Sequence, residues 1–371
     1  MRVFKLQKPR LPTHYYVRFE PPGASGDEAL IISSERRRIK LKGHSFREFM
    51  QHVVPLLDGT HSIEDIRTQV SGVFAPEDLD ASLELLAAHN ILEDAAADNA
   101  EELASNLQHQ WNFFHELGID PHEAEKRLAA ATVAVFGMGP LGASAATSLA
   151  ASGVGHIRCI DHLSVGSADP KLNPLFQSDD AGKLRGDVVS RRIREANSTT
   201  QTAVHSVLPD TDDAVLQLIQ GADFVICCAD RGLSNLFYRI NRACLKARIR
   251  WTSGTVSGFE GIVGPTVAPY ETACYLCYQM RSVACSESPE DEFAFLRFLD
   301  GRKADDSSTR ENLVFGTGIV GHLLGLEAFR AVAGISAPTA GRIMVLDLIE
   351  MTSHKHVVLR KPWCPACFPT T

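Results

Sequence analysis

The stretch that decides the fold is residues 132–152, TVAVFGMGPLGASAATSLAAS. It begins with a short apolar run, typical of a buried strand, and ends in small residues, typical of a closely packed helix. The turn between them, GMGPLG at 137–142, is rich in glycine. Glycines let the backbone approach a phosphate group, and the helix N-terminus offers free amides. The stretch predicts a nucleotide-binding turn, with a ligand-free turn of the same shape as the alternative.

The chain beyond this turn alternates between strand-like and helix-like segments. Asp161 ends the second strand, 24 positions after Gly137, where a carboxylate can hydrogen-bond the hydroxyl groups of a ribose. Such alternation is typical of an α/β domain with a mostly parallel, Rossmann-like sheet covered by helices. The predicted strands are 132–136, 156–160, 202–207, 223–228 and 249–253, and the predicted helices are 140–152, 185–196, 211–219 and 232–246.

Asp230 comes just after the predicted strand 223–228. Open parallel sheets bind ligands beyond the carboxyl ends of their strands. A carboxylate at that edge can hold a magnesium–phosphate group, and a helix N-cap is the alternative.

The first 95 residues predict a different architecture, three short strands followed by three helices, which is the order of a small winged helix-turn-helix. In the third strand Arg38, Lys40 and Lys42 alternate with Ile39 and Leu41, so charges lie on one face and apolar side chains on the other. A weakly patterned linker at 96–110 separates this domain from a second domain at 111–371. The predicted strands are 14–20, 28–34 and 36–42, and the predicted helices are 45–57, 63–71 and 76–90.

The composition is that of an ordinary globular protein, since 22% of the 371 residues are charged and 44% are hydrophobic. No apolar stretch approaches the roughly 20 residues that cross a bilayer, and no secretory signal is evident. We therefore expect a cytoplasmic protein without membrane contact. A net charge of −8 argues against general nucleic-acid binding.

Charge is unevenly distributed near the N-terminus. Residues 1–50 carry eleven Lys or Arg against five Asp or Glu, whereas residues 51–100 carry one against ten. This asymmetry indicates a basic strip for an acidic partner, or simply a solvated surface.

Four of the nine cysteines form two Cys-x-x-Cys pairs, Cys274 with Cys277 and Cys364 with Cys367. Four thiolates suit tetrahedral zinc, and such a closed site is structural because it leaves no open coordination position. The fold must bring the pairs together across 86 intervening residues. Buried free thiols or a redox pair are the alternatives. Cys285 lies in a polar stretch and is a candidate exposed thiol or nucleophile. The remaining cysteines, predicted to pack in the core, are Cys159, Cys227, Cys228 and Cys244.

From about residue 110 to 370 the sequence resembles the ThiF/MoeB superfamily, which has the ubiquitin-activating-enzyme-like fold. The resemblance rests on the glycine turn, the two aspartates, the cysteine pairs, SGTVSGFEGIVGPTVAP at 253–269 and GIVGHLLGLEAFR at 318–330. It implies a fold that binds ATP with Mg²⁺ and adenylates a carboxylate of a protein or peptide. The nucleotide positions that it implies are Gly137, Gly139, Gly142, Asp161 and Asp230.

After Asp161, the aspartate expected to bind the ribose, the sequence departs from the family pattern. ATP-using members carry a second acid, an Asn, an Arg-Gln pair and a Lys. The corresponding residues here are Leu163, Asp169, Leu172-Asn173 (or a site near Pro174, with a gap) and Arg185. The family's Arg and Lys neutralise phosphate charge in the transition state, so the loss of the Arg predicts weakened or absent adenylation. Lys171 and Arg185 are the cations that could compensate.

Residues 1–95 resemble the PqqD-like recognition element of pathways for ribosomally synthesised and post-translationally modified peptides, in strand and helix order and in LDGTHSIEDI (57–66) and LLAAHNILED (85–94). That element binds the leader of a precursor peptide by strand addition beside its third strand and third helix. The basic residues that would meet an acidic leader are Arg36, Arg37, Arg38, Lys40 and Lys42. A DNA-binding winged helix is the alternative, but acids on the third helix would repel phosphate.

Together the two resemblances are closest to the leader-binding partner proteins of azoline-forming cyclodehydratases, which make thiazole/oxazole-modified (TOMM, bacteriocin-type) peptides. There a separate YcaO protein performs the ATP-dependent chemistry, and the ThiF-like protein presents the core Cys, Ser and Thr residues. The resemblance implies a non-catalytic, zinc-containing homodimer with the precursor and the YcaO protein as partners.

The main alternative is an enzyme that itself adenylates or phosphorylates a carboxylate or amide of the bound precursor. Asp230 would then hold the catalytic magnesium ion, and Lys171 and Arg185 the phosphates. A third class, an NAD-dependent oxidoreductase, shares the glycine turn and Asp161 but leaves the cysteine pairs unexplained.

Overall fold

The computed structural model of the protein describes residues 6–22, 28–97, 110–229, 234–300 and 312–368. The chain separates into two compact units, Met1–Ala124 and Glu125–Thr371. Most of the predicted linker, residues 98–109, and the predicted magnesium ligand Asp230 lie outside the described residues.

The first unit is rich in strands. Its strands are β1 (Pro9–Arg10), β2 (Tyr16–Glu20), β3 (Glu28–Ser33), β4 (Arg38–Gly43) and β5 (Glu93–Asp94), and its helices are α1 (Phe46–Glu48), α2 (Ile63–Val70), α3 (Pro76–Ala88) and α4 (Trp111–Glu116). A helix α5 (Pro121–Ala130) crosses the boundary between the units. Strands β2, β3 and β4 form an antiparallel sheet with β3 in the centre, and β1 pairs with β5.

The core of the first unit lies on one face of this sheet. Leu30 and Ile32 of β3 pack there with helix residues such as Ile66 and Leu83, all essentially inaccessible to solvent. Helix α2 begins at a capping box in which the Ser62 hydroxyl accepts from the Asp65 N–H and the Asp65 carboxylate accepts from the Ser62 N–H. The cap satisfies amides that have no partner within the helix.

The predicted helix 45–57 differs in detail from the structure. It is divided into α1, a π-helical turn (Phe49–Val53) and a 3₁₀ turn (Val54–Leu56). The 3₁₀ turn contains Pro55, which has no N–H to continue an α-helical ladder.

The second unit is an α/β domain around one eight-stranded sheet. Its strands are β6 (Thr132–Phe136), β7 (His156–Ile160), β8 (Gln201–His205), β9 (Phe224–Cys227), β10 (Arg250–Ser257), β11 (Glu260–Val263), β12 (Arg342–Asp347) and β13 (Thr352–Val357). Its helices after α5 are α6 (Pro140–Ala151), α7 (Asp169–Leu172), α8 (Arg185–Ala196), α9 (Asp212–Ile219), α10 (Ser234–Ala247), α11 (Tyr275–Ala284), α12 (Pro289–Asp300) and α13 (Val314–Val332).

Strand order in this sheet is β13-β12-β11-β10-β9-β6-β7-β8. The four pairings from β10 to β8 are parallel and the three from β10 to β13 are antiparallel. The predicted α/β class with a mostly parallel, Rossmann-like sheet is therefore confirmed, and the antiparallel extension is an addition to it. Strands β6 and β9 are buried, as expected of parallel strands covered on both faces.

Helix α13 packs against α6 at close range. A Cβ atom on Gly321 would lie 2.6 Å from the carbonyl oxygen of Leu141, so only glycine allows this approach. Because α6 starts at the glycine turn, α13 supports the element on which the candidate site is built. No helix in the described part of the chain is long and apolar enough to span a lipid bilayer.

Candidate functional site

The glycine turn lies between β6 and α6, against the end of β9. Gly137 has φ +85°, and a Cβ atom there would lie 2.6 Å from the carbonyl oxygen of Cys228. A Cβ atom on Gly142 would overlap the Gly137 carbonyl oxygen, and Gly139 precedes α6 as its N-cap. The close packing of the turn therefore requires glycine at 137 and 142 whether or not a phosphate binds.

Asp161, predicted to bind a ribose, is buried at the end of β7. Its Oδ2 accepts a hydrogen bond from the Met138 N–H at 2.7 Å, and its Oδ1 accepts one from the Leu163 N–H at 2.8 Å. The carboxylate thus ties the glycine turn to the loop that follows β7. Both of its oxygens accept from the chain's own backbone.

Arg185, predicted to neutralise phosphates, lies at the start of α8 in a buried ion pair. Its Nε and Nη2 donate to the two carboxylate oxygens of Asp169 at 2.9 and 2.6 Å, and both side chains are almost fully buried. Its Nη1 lies 3.9 Å from Asp161 Oδ2. This bidentate geometry is among the stronger hydrogen-bonded ion pairs in proteins. It brings together two of the positions at which the sequence departs from the family pattern.

Asn173 connects the loop between β7 and α8 to the start of α6. Its amide donates to the Pro140 carbonyl and to Ser144 Oγ, both at 2.8 Å, and its Oδ1 accepts from the Leu175 N–H. The partner positions could not be read from the sequence, because Asn173 lies 33 residues from Pro140. Lys171, the other predicted phosphate cation, is exposed at the end of α7.

The two Cys-x-x-Cys pairs meet in the structure. The sulfur–sulfur distances are 3.8 Å from Cys274 to Cys277, 3.7 Å from Cys274 to Cys364 and 3.6 Å from Cys277 to Cys367, and all four sulfurs lie within 4.8 Å of one another. All four residues are buried. Cys274 is the N-cap of α11, so the start of this helix positions Cys274 and Cys277. The turn near the C-terminus positions the other pair.

The chemistry of this cluster fits a tetrahedral metal ion. Burial, followed by the charges of the neighbouring cysteines, raises the pKa of the Cys274 thiol. A divalent cation among the sulfurs would offset this penalty and hold them as thiolates.

The other cysteines divide as the sequence suggests. Cys285 is exposed at the end of α11, whereas Cys159, Cys227, Cys228 and Cys244 are buried. Burial raises the pKa of Cys159 to about 12, which disfavours its reactive thiolate form.

The basic residues of the first unit have different surroundings. Arg37 donates to the Tyr15 hydroxyl at 3.2 Å and to the His89 carbonyl at 2.8 Å, so it holds the unit together. Lys40 lies 2.5 Å from Glu20. Arg36 is exposed in the turn before β4, and Arg38 and Lys42 are exposed on the strand itself.

Comparison with known proteins defines the class of this chain. Residues 106–366 match the model of the ThiF family, so the protein belongs to that family. It is similar to the sulfur carrier protein adenylyltransferase of Thermus thermophilus, with 26% identity over 66% of this chain and 85% of the relative. Protein HesA (heterocyst) of Trichormus variabilis is 28% identical over 66% of this chain and 82% of its own length.

The fold is similar to those of MccB and PaaA, as three solved structures show. Escherichia coli MccB, solved with ATP, has a TM-score of 0.74 at 16% identity and covers 97% of this chain and 100% of its own. The microcin C7 biosynthetic enzyme MccB in complex with N-formylated MccA has a TM-score of 0.75 at 17% identity, with the same coverage. PaaA has a TM-score of 0.71 at 18% identity and covers 94% of this chain and 100% of its own. At these identities the likeness shows the fold.

Proposed function

We propose that this protein binds the leader of a ribosomally made precursor peptide and presents its core to a separate ATP-dependent YcaO cyclodehydratase for azoline formation. The observation that carries the proposal is the buried Arg185–Asp169 ion pair, at positions where the family resemblance implies nucleotide-binding residues.

This pair argues against phosphate binding on electrostatic grounds. A triphosphate would have to compete with Asp169 for the guanidinium group, and removing one partner from a buried ion pair leaves an uncompensated charge. Asp161, in turn, already accepts two backbone hydrogen bonds. The residues that remain from the nucleotide site thus support the loop between β7 and α8.

Peptide binding is supported by the first unit and by the fold comparison. MccB, whose fold is similar over 97% of this chain, has been solved with MccA. Strand β4 lies at an edge of its sheet and carries exposed cations. We infer that residues 1–95 form a winged-helix recognition element to which a leader adds as a further strand beside β4.

The four cysteines would hold one structural zinc ion, joining the C-terminal turn to α11 within the domain 111–371. Zinc there supplies cross-linking and no catalytic position, because four thiolates complete its tetrahedral shell. By the same family resemblance we expect a homodimer.

The test combines the full chain with a short precursor peptide and a YcaO protein, both to be sought among the genes beside its own. Calorimetry should show binding of the precursor, and azoline formation by the YcaO protein should rise when the full chain is added. Absence of leader binding by the full chain would remove the basis of the proposal.

A second candidate is an ATP-dependent enzyme that adenylates or phosphorylates the precursor itself. It is favoured by the fold similarity to MccB solved with ATP. Precursor-dependent turnover of ATP by this protein alone, abolished in Asp230→Asn, would establish it in place of the docking role. Pyrophosphate exchange detects adenylation, and release of ADP detects phosphorylation.

A further inference from the structure

In β4, the residues whose backbone N–H and C=O groups face away from β3 are the same residues that carry positive charges. The Ser34 N–H donates to the Arg37 carbonyl at 2.9 Å, which makes that cross-strand pair a hydrogen-bonded one. Hydrogen-bonded and non-hydrogen-bonded pairs alternate along an antiparallel ladder. In the observed register, Ile32–Ile39 and Leu30–Leu41 are therefore hydrogen-bonded pairs.

The alternation leaves the pairs Ser33–Arg38, Ile31–Lys40 and Ala29–Lys42 without mutual hydrogen bonds. The N–H and C=O groups of Arg38, Lys40 and Lys42 consequently point away from β3. Within the described residues, β4 has no strand partner on that side. An added strand would thus hydrogen-bond to the three residues that carry the positive charges.

The two faces of β4 differ sharply in chemistry. Arg38, Lys40 and Lys42 are exposed on one face, whereas Ile39 and Leu41 are half-buried and pack against the core of the first unit. Residues opposite each other in neighbouring strands share a face, and opposite charges in such pairs are favourable. An added strand therefore meets cations and apolar side chains at alternate positions.

We propose that β4 selects a leader segment with acidic residues at every second position and apolar residues between them. The inference rests on the proposed leader binding and specifies what the leader must contain. The acids would lie opposite Arg38, Lys40 and Lys42, and the apolar residues would extend the core beside Ile39 and Leu41. A segment with the same composition but consecutive acids would put charge on the apolar face.

Among Arg38, Lys40 and Lys42, we expect Arg38 and Lys42 to contribute most to the binding of an acidic strand. Arg38 and Lys42 make no ion pair within the described residues, whereas Lys40 is already paired with Glu20 at 2.5 Å. An acid opposite Lys40 would have to compete with Glu20. Charge reversal at Arg38 and Lys42 together is thus the sharpest change to test.

The experiment measures fluorescence anisotropy of labelled peptides with the full chain at low salt. One peptide has three glutamates at alternate positions with valine between them, and its isomer has the glutamates consecutive. We expect the alternating peptide to bind about tenfold more tightly. Arg38→Glu with Lys42→Glu should lose this preference and should instead bind a peptide in which lysines replace the alternating glutamates.

Arg194→Glu with Lys355→Glu is the matched control, because both residues are exposed in the second unit and the net charge changes equally. It should bind the alternating peptide as the unmodified protein does. Equal affinity for the two isomers, or no gain for the lysine peptide in the reversed variant, would overturn the inference. If the natural leader still binds in that case, leader recognition stands and only the pattern is wrong.

Discussion

At the scale of single residues, the buried Arg185–Asp169 pair holds the loop after β7 against the start of α8. Arg185→Ala leaves a buried, unpaired carboxylate, so we expect the free energy of unfolding to fall by about 3 kcal/mol. Urea denaturation measures this. Arg194→Ala, an exposed position on the same helix α8, serves as the control and should change little. A loss no larger than that of the control would mean that the pair contributes nothing to the fold.

A second prediction at this scale concerns the pH dependence of the first unit. Burial lowers the pKa of His14, reinforced by neighbouring His115, despite the opposing effect of Glu116. Burial opposes ionisation of Glu93, but hydrogen bonds from His115 and Arg10 outweigh it and hold its pKa below the ordinary value. His14 thus resists protonation in the folded state, and Glu93 resists it too.

The lowered pKa values of His14 and Glu93 both make the folded state less stable as the pH falls. Stability should decline as pH falls below about 6.5, where an unfolded histidine takes up a proton, and further below about 4.5, where an unfolded glutamate does. Thermal unfolding followed by circular dichroism should show this decline. His14→Gln should reduce the dependence of the melting temperature on pH between about pH 7 and 5.5. His44→Gln, at an exposed position, should leave that dependence unchanged. Unchanged slopes in both variants would argue against a role for His14.

At the scale of elements, the contact between α6 and α13 positions the candidate site. Gly321→Ala forces a methyl group towards the Leu141 carbonyl, so we expect a loss of about 2 kcal/mol in the free energy of unfolding. A methyl group at Gly318, on the same helix, would meet no atom within 4 Å, so Gly318→Ala should be neutral or stabilise by up to about 1 kcal/mol. Equal effects in chemical denaturation would show that the helices can separate without cost.

At the scale of the whole molecule, the cysteine cluster ties together segments that are far apart in the sequence. We expect about one zinc ion per chain by metal analysis, and a clear fall in melting temperature on prolonged chelation. Cys364→Ser should lose the metal, whereas Cys285→Ser, an exposed thiol outside the cluster, should retain it. A metal-free protein with an unchanged melting temperature would leave the four sulfurs as ordinary buried thiols.

The amino-acid sequence by itself determined the features that have a short period or a local signature. The apolar run before GMGPLG, the alternating strands and helices, the alternation along 38–42 and the two Cys-x-x-Cys pairs could all be predicted, because each depends on neighbouring residues. The α/β class of the second unit followed from the same patterns.

Only the tertiary structure decided which partner each candidate side chain has. Arg185 could be a phosphate ligand or an ion-pair partner, and the choice depends on Asp169, 16 residues away, being brought against it. The backbone donors to Asp161 and the open edge of β4 likewise depend on where distant parts of the chain lie. Hydrogen bonds and ion pairs are short-ranged and directional, so the type of a residue gives its capacity to bind, and the fold determines what it binds.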